Sequence, residues 1–508
     1  MHSTKNFFIK KQARHMSLLF FFLMTCNFAT AEESVLISQT EYHNLIAEAD
    51  NDILTSEEEL LEMYRVNIKK PTTLVVYIAA DNDLHPFAWK NIKQMEAIGS
   101  NENINIIVQI NTPGYFNPTK RYIIKNGKRL LVPAEGQAPT QKLNSGNPQT
   151  LIDCVAWAMK YYPADNLVLN LWNHGAGVYD PGTSADYYLQ DVKLVSPFDL
   201  FRFDPTTNMI YLDRSVEYII SPELITENTP NYFDNDNQKY NGRGICFDET
   251  FKSFLTNQDL KFALSEIQTK VLQGKKIGVV WFDACLMAMI EIADICKEHA
   301  SYLVASQEVE YASGSNYELV LSPFVNRSLT PREIACHIVN SYEKAYQQIT
   351  RDFTQSATDL SLVGQLESNI NLVAAQLLLA LQSQKNNSVV KLLQKCKSRQ
   401  LCICFQEPSF IDARNFYMNL QANLNDISLI NPTTENTIKY ALTRLLDQGI
   451  GFINAAVIAN KTGINLQRAG GLSIYFPERG MFNSYPKCSF AKTNNWSTML
   501  SQYLLLKK

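Results

Sequence analysis

The chain has 508 residues, a formal net charge of −4, and 46% hydrophobic against 19% charged residues. That length provides for two or more domains, or for one large α/β domain with an appendage, and the composition for ordinary globular cores. With no basic excess to neutralise phosphates, nucleic acid is excluded as the main partner.

Lys10, Lys11 and Arg14 precede an apolar run from Met16 to Phe28, which ends in Ala29-Thr30-Ala31. A charged leader, an apolar stretch of secretory length and an A-x-A signal predict removal of residues 1–31 and export to the periplasm or beyond the cell. The run is short for a membrane span, so none is expected in the mature chain; an uncleaved anchor is the alternative. Thr25 is a poor neighbour for a lipidated Cys26. Without Cys26, nine of the ten cysteines remain, an odd number that leaves at least one thiol unpaired within the chain. Cys396, Cys402 and Cys404 invite a zinc reading, but no further ligands complete a set of four. A local disulfide or plain buried thiols fit better.

Residues 32–70 read as a polar helical lead-in. Thr73 to Ala80 is a continuous apolar run of central-strand type, ended by Asp81-Asn82-Asp83, with Pro86 placed to open a helix to about Ile98. Ile104–Ile110 is the next strand, Gly146-Asn147-Pro148 leads into a helix, and Asn166–Trp172 is a third strand. This rhythm predicts an α/β fold with a mostly parallel sheet and helices on both faces. The stretch 179–242 interrupts it: Asp and Glu outnumber Lys and Arg there, Asn and Pro are frequent, and helical period is weak. It reads as a solvated, loop-rich insertion. Asp234, Asp236 and Asn241-Gly242 faintly suggest a calcium loop without its spacing, so no cofactor is required by the sequence.

Order resumes at Ile245–Asp248. Thr256 is set to cap a helix over 257–272, and Lys276–Asp283 forms another buried strand. A helix is expected over 286–297, which would put Cys285 at a helix N-terminus and lower its thiol pKa. Tyr302–Ser306 reads as a strand. The region 327–508 reads as largely helical, returning a strand near 472–476.

Two strand ends carry chemistry. His174-Gly175 follows one and Ala284-Cys285 the other. In an open α/β sheet, ligands sit at the C-terminal ends of strands. A lone His or Cys in such a place is more often structural, but the pair supplies a nucleophile and its base. The N–H groups of Gly175 and Cys285 are candidates for holding an oxyanion. Asp283 shares the strand face of Cys285 by the period of two, either as a charged pocket floor or as a loop anchor.

Five stretches in order carry a family likeness: Val76-Tyr77-Ile78-Ala79-Ala80-Asp81-Asn82-Asp83-Leu84, Trp172-Asn173-His174-Gly175, Phe247-Asp248-Glu249-Thr250, Phe282-Asp283-Ala284-Cys285-Leu286-Met287 and Gly471-Leu472-Ser473-Ile474-Tyr475-Phe476-Pro477. The sequence resembles the clostripain family of cysteine peptidases, in the caspase-like clan, from about residue 72 to the C-terminus. The resemblance implies a caspase-like α/β/α sandwich with its catalytic domain over 71–326. It implies a His174–Cys285 dyad with no obligatory third member, and peptide or protein substrates with Arg or Lys before the cut bond, bound through Asp283. Activation by cleavage between the two catalytic residues is also implied, which would fall in the insertion. The segment Gln307–Tyr317 lacks the tryptophan such a likeness leads one to expect. Two other classes compete: a Cys-His amidase or acyltransferase on a similar sheet, and a secreted binding protein on an inactive peptidase scaffold.

Overall fold

The computed structural model describes residues 68–132, 138, 140–178, 244–482 and 484–507, with short strand segments at 53–54, 201–204 and 209–212. The leader over 1–31, most of the lead-in, and most of the stretch 179–243, including its calcium-like residues, lie outside the described residues.

A parallel block forms the centre of the molecule. It is built from β2 (Lys70–Ala79), β3 (Ile104–Asn111), β6 (Ala164–Trp172), β11 (Ile277–Asp283) and β12 (Ala300–Ala305), adjacent in the order β3-β2-β6-β11-β12. These strands are nearly continuous apolar runs because helices cover both faces. Leu74–Ala79, Ile106–Val108, Leu167–Leu171 and Ile277–Phe282 are buried throughout.

Antiparallel strands extend the block on both sides. The meander β4 (Lys120–Lys125) and β5 (Lys128–Leu131) lies beyond β3, with β1 (Ile53–Leu54) at the edge. Beyond β12 come β13 (Thr354–Asp359) and β15 (Val457–Thr462), completing ten strands. Three two-stranded ladders accompany the sheet. They are β7 (Phe201–Asp204) with β8 (Met209–Leu212), β9 (Gly244–Asp248) with β10 (Ser253–Thr256), and β14 (Phe410–Asp412) with β16 (Ser473–Tyr475).

Helices α1 (His85–Ile98), Tyr317–Leu321 and Pro331–Tyr346 pack together on one face. Helices Pro148–Tyr161, Asn257–Glu266, Ile290–Cys296 and Val363–Ser383 pack on the other. This is the α/β/α sandwich expected from the strand–helix rhythm. Pro86 lies in the first turn of α1, and Asn147 caps the next helix by accepting from Gln149 N–H. Thr256 forms a capping box with Asp259, and that helix continues as a π-turn over Ile267–Val271. Among the described residues no helix is long and apolar enough to cross a membrane.

One feature, strand pairing after residue 326, differs from the sequence-based expectation, and the cysteines follow one of the two alternatives weighed for them. The region after 326 supplies β13 and β15 to the main sheet, whereas the segment near 472–476 pairs with β14 in a separate ladder. The nine described cysteines are all free thiols, so residues 396, 402 and 404 hold no disulfide.

Candidate active site

Sheet register delivers the two chemical residues together. Trp172 of β6 pairs with Asp283 of β11, the last pair in register, and both chains run on at the C-terminal edge to His174 and Cys285 two residues further along. Asn173 N–H donates to Asp283 O at 3.3 Å and holds the strand ends in step. The Asn173 amide bonds the Ala79 and Phe247 carbonyls and accepts from Phe247 N–H at 2.8 Å, fastening β6 to β2 and β9.

Gly175 is required by a close approach. A Cβ there would sit 2.6 Å from the Cys285 carbonyl oxygen and 3.0 Å from Ala284 Cβ and Met287 Cγ. The His loop is therefore packed directly on the backbone of the Cys loop. Gly175→Ala is expected to force the loops apart, costing roughly 1–3 kcal/mol as an overpacked contact and most of the activity. Thermal unfolding together with a rate assay checks this; a fully active, equally stable variant would show that the approach is not needed.

Cys285 itself sits differently from the sequence expectation. The helix after it begins at Ile290 rather than Leu286. Between them Leu286 holds φ +63°, a sparsely populated conformation for a branched residue that turns the chain sharply after the nucleophile. Without a helix N-terminus behind it, the thiol has no dipole to lower its pKa. Burial raises it strongly instead, with Cys285 only 1% exposed. The neighbouring segment closes over it. Leu286 N–H donates to Glu308 O and Ala288 N–H to Ser306 O, while Glu310 N–H donates to Cys285 Sγ at 3.2 Å.

Asp283 points beneath this same segment. Its carboxylate accepts from Ser315 N–H at 3.0 Å, Ser315 Oγ at 3.1 Å and Tyr317 OH at 2.7 Å, which makes it an anchor for residues 313–317. Glu310, also buried, hydrogen-bonds Asp283 and accepts from Gln355 Nε2 at 3.3 Å. Burial raises the pKa of both carboxyls, and for Glu310 the Asp283 charge adds to the effect. Two buried carboxyls in contact hold a proton between them.

On the other side of the site, His174 is 4% exposed and its Nε2 lies 2.7 Å from Asp83 Oδ1. Asp83 follows β2 in a turn set by Asn82, whose amide bonds Ala79 O and Phe247 O at 3.0 Å and accepts from Leu84 N–H. Glu249, fixed by its N–H on Asp81 O at 2.9 Å, adds a half-buried carboxyl whose pKa is raised by burial first and then by the nearby Asp83 charge. The sequence marks Asp81-Asn82-Asp83 as a strand terminator and as part of a family stretch, without assigning Asp83 a role, and does not single out Glu310. The available signal was position, since Asp83 follows the strand neighbouring that of His174. Among the described residues, no three His, Cys, Asp or Glu side chains are grouped to hold a metal ion.

A sandwich with a mostly parallel sheet and a His–Cys pair at its C-terminal edge defines the class as caspase-like. The chain belongs to the clostripain family, whose model matches residues 76–192 and 222–502. Clostripain of Hathewaya histolytica is 22% identical over 321 residues, which cover 59% of this chain and 50% of that protein. The chain thus aligns with about half the length of that relative. Two solved structures, both of secreted C11 cysteine proteases from Bacteroides thetaiotaomicron, share the fold. One, in complex with an irreversible peptide inhibitor, is 18% identical at a TM-score of 0.50, covering 85% of this chain and 99% of that one. The other, called iotapain, is 13% identical at a TM-score of 0.54, covering 84% and 99%.

Proposed function

We propose that this chain is an exported cysteine endopeptidase that cuts peptides after Arg or Lys, with Cys285 as nucleophile and His174 as general base and acid. The observation that carries the reading is the in-register delivery of His174 and Cys285 to adjacent strand ends, with Gly175 seated on the Cys285 carbonyl. In the first step Sγ bonds to the scissile carbonyl carbon as its proton passes to His174. The resulting oxyanion lies toward the N–H groups of Gly175 and Cys285. The C–N bond then breaks and the imidazole proton goes to the leaving amine. Water attacks the thioester, giving a proton to His174; the C–S bond breaks, the acid product leaves, and the proton returns to sulfur. The buried thiol requires the 308–312 segment to move aside before a substrate carbonyl reaches Sγ.

The Asp283–Glu310 pair supports a basic preference, because a guanidinium or ammonium entering there meets carboxyls shielded from water. Labelling with an arginyl or lysyl chloromethylketone followed by mass mapping tests nucleophile and preference together. Alkylation at Cys285 is the expected result. Labelling at any other residue, or none of a folded protein, overturns the reading.

Self-cleavage within 179–243 is expected to yield two associated chains. Lys193, Arg202, Arg214, Lys239 and Arg243 supply basic residues for it, but Arg202 lies in the β7–β8 ladder opposite Tyr211, where a protease would first have to unpair it. On a denaturing gel the wild type should give two bands and Cys285→Ala one. A single full-length band from an active enzyme would discard self-cleavage and leave the peptidase reading intact.

A further inference from the structure

Resting on the peptidase reading, we infer that Asp83 is a positioning residue for His174, making the site a Cys–His–Asp relay rather than a two-residue one. The geometry is specific. Asp83 Oδ1 lies 2.7 Å from His174 Nε2, and the His174 side chain is 5% exposed against 38% for Asp83. A carboxylate at this distance accepts an N–H, so it fixes the tautomer with the proton on Nε2. Nδ1 is then the nitrogen that serves Cys285. The carboxylate also stabilises the imidazolium formed when the thiol proton is transferred, without itself taking that proton.

The surrounding structure holds Asp83 for this task. β2 and β6 are parallel neighbours, with Ile78 opposite Trp172, so the turn after β2 lies beside the His174 loop. That turn is closed by Asn82, which caps it through Leu84 N–H and ties it to Phe247. The Asp83 carboxylate faces the imidazole. Glu249 after β9 also lies near His174, while Asp81 in the same turn and His85 at the start of α1 lie near Asp83. Asp81 is occupied by Lys142 at 2.7 Å, both side chains buried. Asp83 is bonded directly to the ring.

The expected signature separates a positioning role from a structural one. Asp83→Asn keeps size and hydrogen-bonding capacity but removes the charge. It should lower kcat on the order of 100-fold with little change in KM, because the imidazole is no longer held by a charged acceptor. Asp83→Ala should fall further, and Asp83→Glu should recover part of the rate. The rate of iodoacetamide reaction at Cys285 gives a second readout that needs no turnover, and it should fall in the same order across the variants. If Asp83→Asn matches the wild type in kcat and in alkylation rate while His174→Ala is inactive, Asp83 has no positioning role and the peptidase reading stands. If Cys285 of the wild type is inert to both peptide and alkylating agent, both fall together.

Discussion

Cys285→Ala is expected to reduce peptide hydrolysis by at least about 10⁴-fold, because the covalent route is lost with its sulfur and residual catalysis from binding alone is small. The fold should survive. Only Sγ is lost from a residue 1% exposed, and the Glu310 N–H loses its sulfur acceptor, which together cost about 1–2 kcal/mol. His174→Ala should fall nearly as far in rate. Steady-state rates beside thermal unfolding make the comparison, and a Cys285→Ala protein that still cleaves at a tenth of the wild-type rate would refute the mechanism. The raised thiol pKa sharpens the expectation. Burial favours the neutral thiol, so its proton has to leave within the attacking step itself, which makes the base indispensable.

How this site came to be readable from sequence has a physical basis. Buried parallel strands must be apolar along their whole length, so β2, β3, β6 and β11 stand out as runs, and the first polar residues after them mark the functional edge. His174, Cys285 and Asp283 were visible for that reason. What sequence did not reveal was pairing at the sheet margins. β13, Thr-Gln-Ser-Ala-Thr-Asp, carries no apolar pattern because Thr354 and Ser356 are satisfied by Ser306, the 307–308 backbone and Gly471. The β4–β5 hairpin had its signal in Asn126-Gly127, with Gly127 at φ +75°, a turn pair that marks hairpins between apolar runs. The misplaced helix start has another cause. Residues 286–289 have helical composition, but Leu286 is turned to positive φ and Met289 is drawn into a bridge with Ser473. Tertiary contacts override local propensity there. Asp83 and Glu310 escaped because their roles depend on which loops meet, and spacing along the chain does not encode that.

Asp283→Asn is expected to remove the preference for Arg and Lys. The carboxylate has three donors already, from Ser315 N–H, Ser315 Oγ and Tyr317 OH, and its remaining capacity faces Glu310. Such a pair, both members buried and raised in pKa, cannot hold two charges without a cation. A basic side chain arriving there supplies one and releases the shared proton. Binding of Arg should therefore weaken as pH falls, because the proton must then be expelled against a higher concentration, whereas neutral peptides should show no such trend. The stability consequence has the opposite sign. A carboxyl whose folded pKa is raised contributes stability below its unfolded pKa and loses it as pH rises. Glu310→Gln should accordingly leave the empty enzyme at least as stable as wild type at neutral pH, while weakening Arg binding. For Asp283→Asn the loss in kcat/KM on Arg peptides should be on the order of 100-fold, about 3 kcal/mol for a buried charge pair deprived of one partner, with Leu peptides little affected. The measurement is kcat/KM for peptides with Arg, Lys, Asn or Leu before the cut bond, across pH 5–9 as an assay range, in wild type and both variants. A wild type that prefers Asn or Leu, or an Asp283→Asn enzyme that keeps its Arg preference, would remove this pair from the substrate pocket and leave Asp283 as the anchor of residues 313–317 alone.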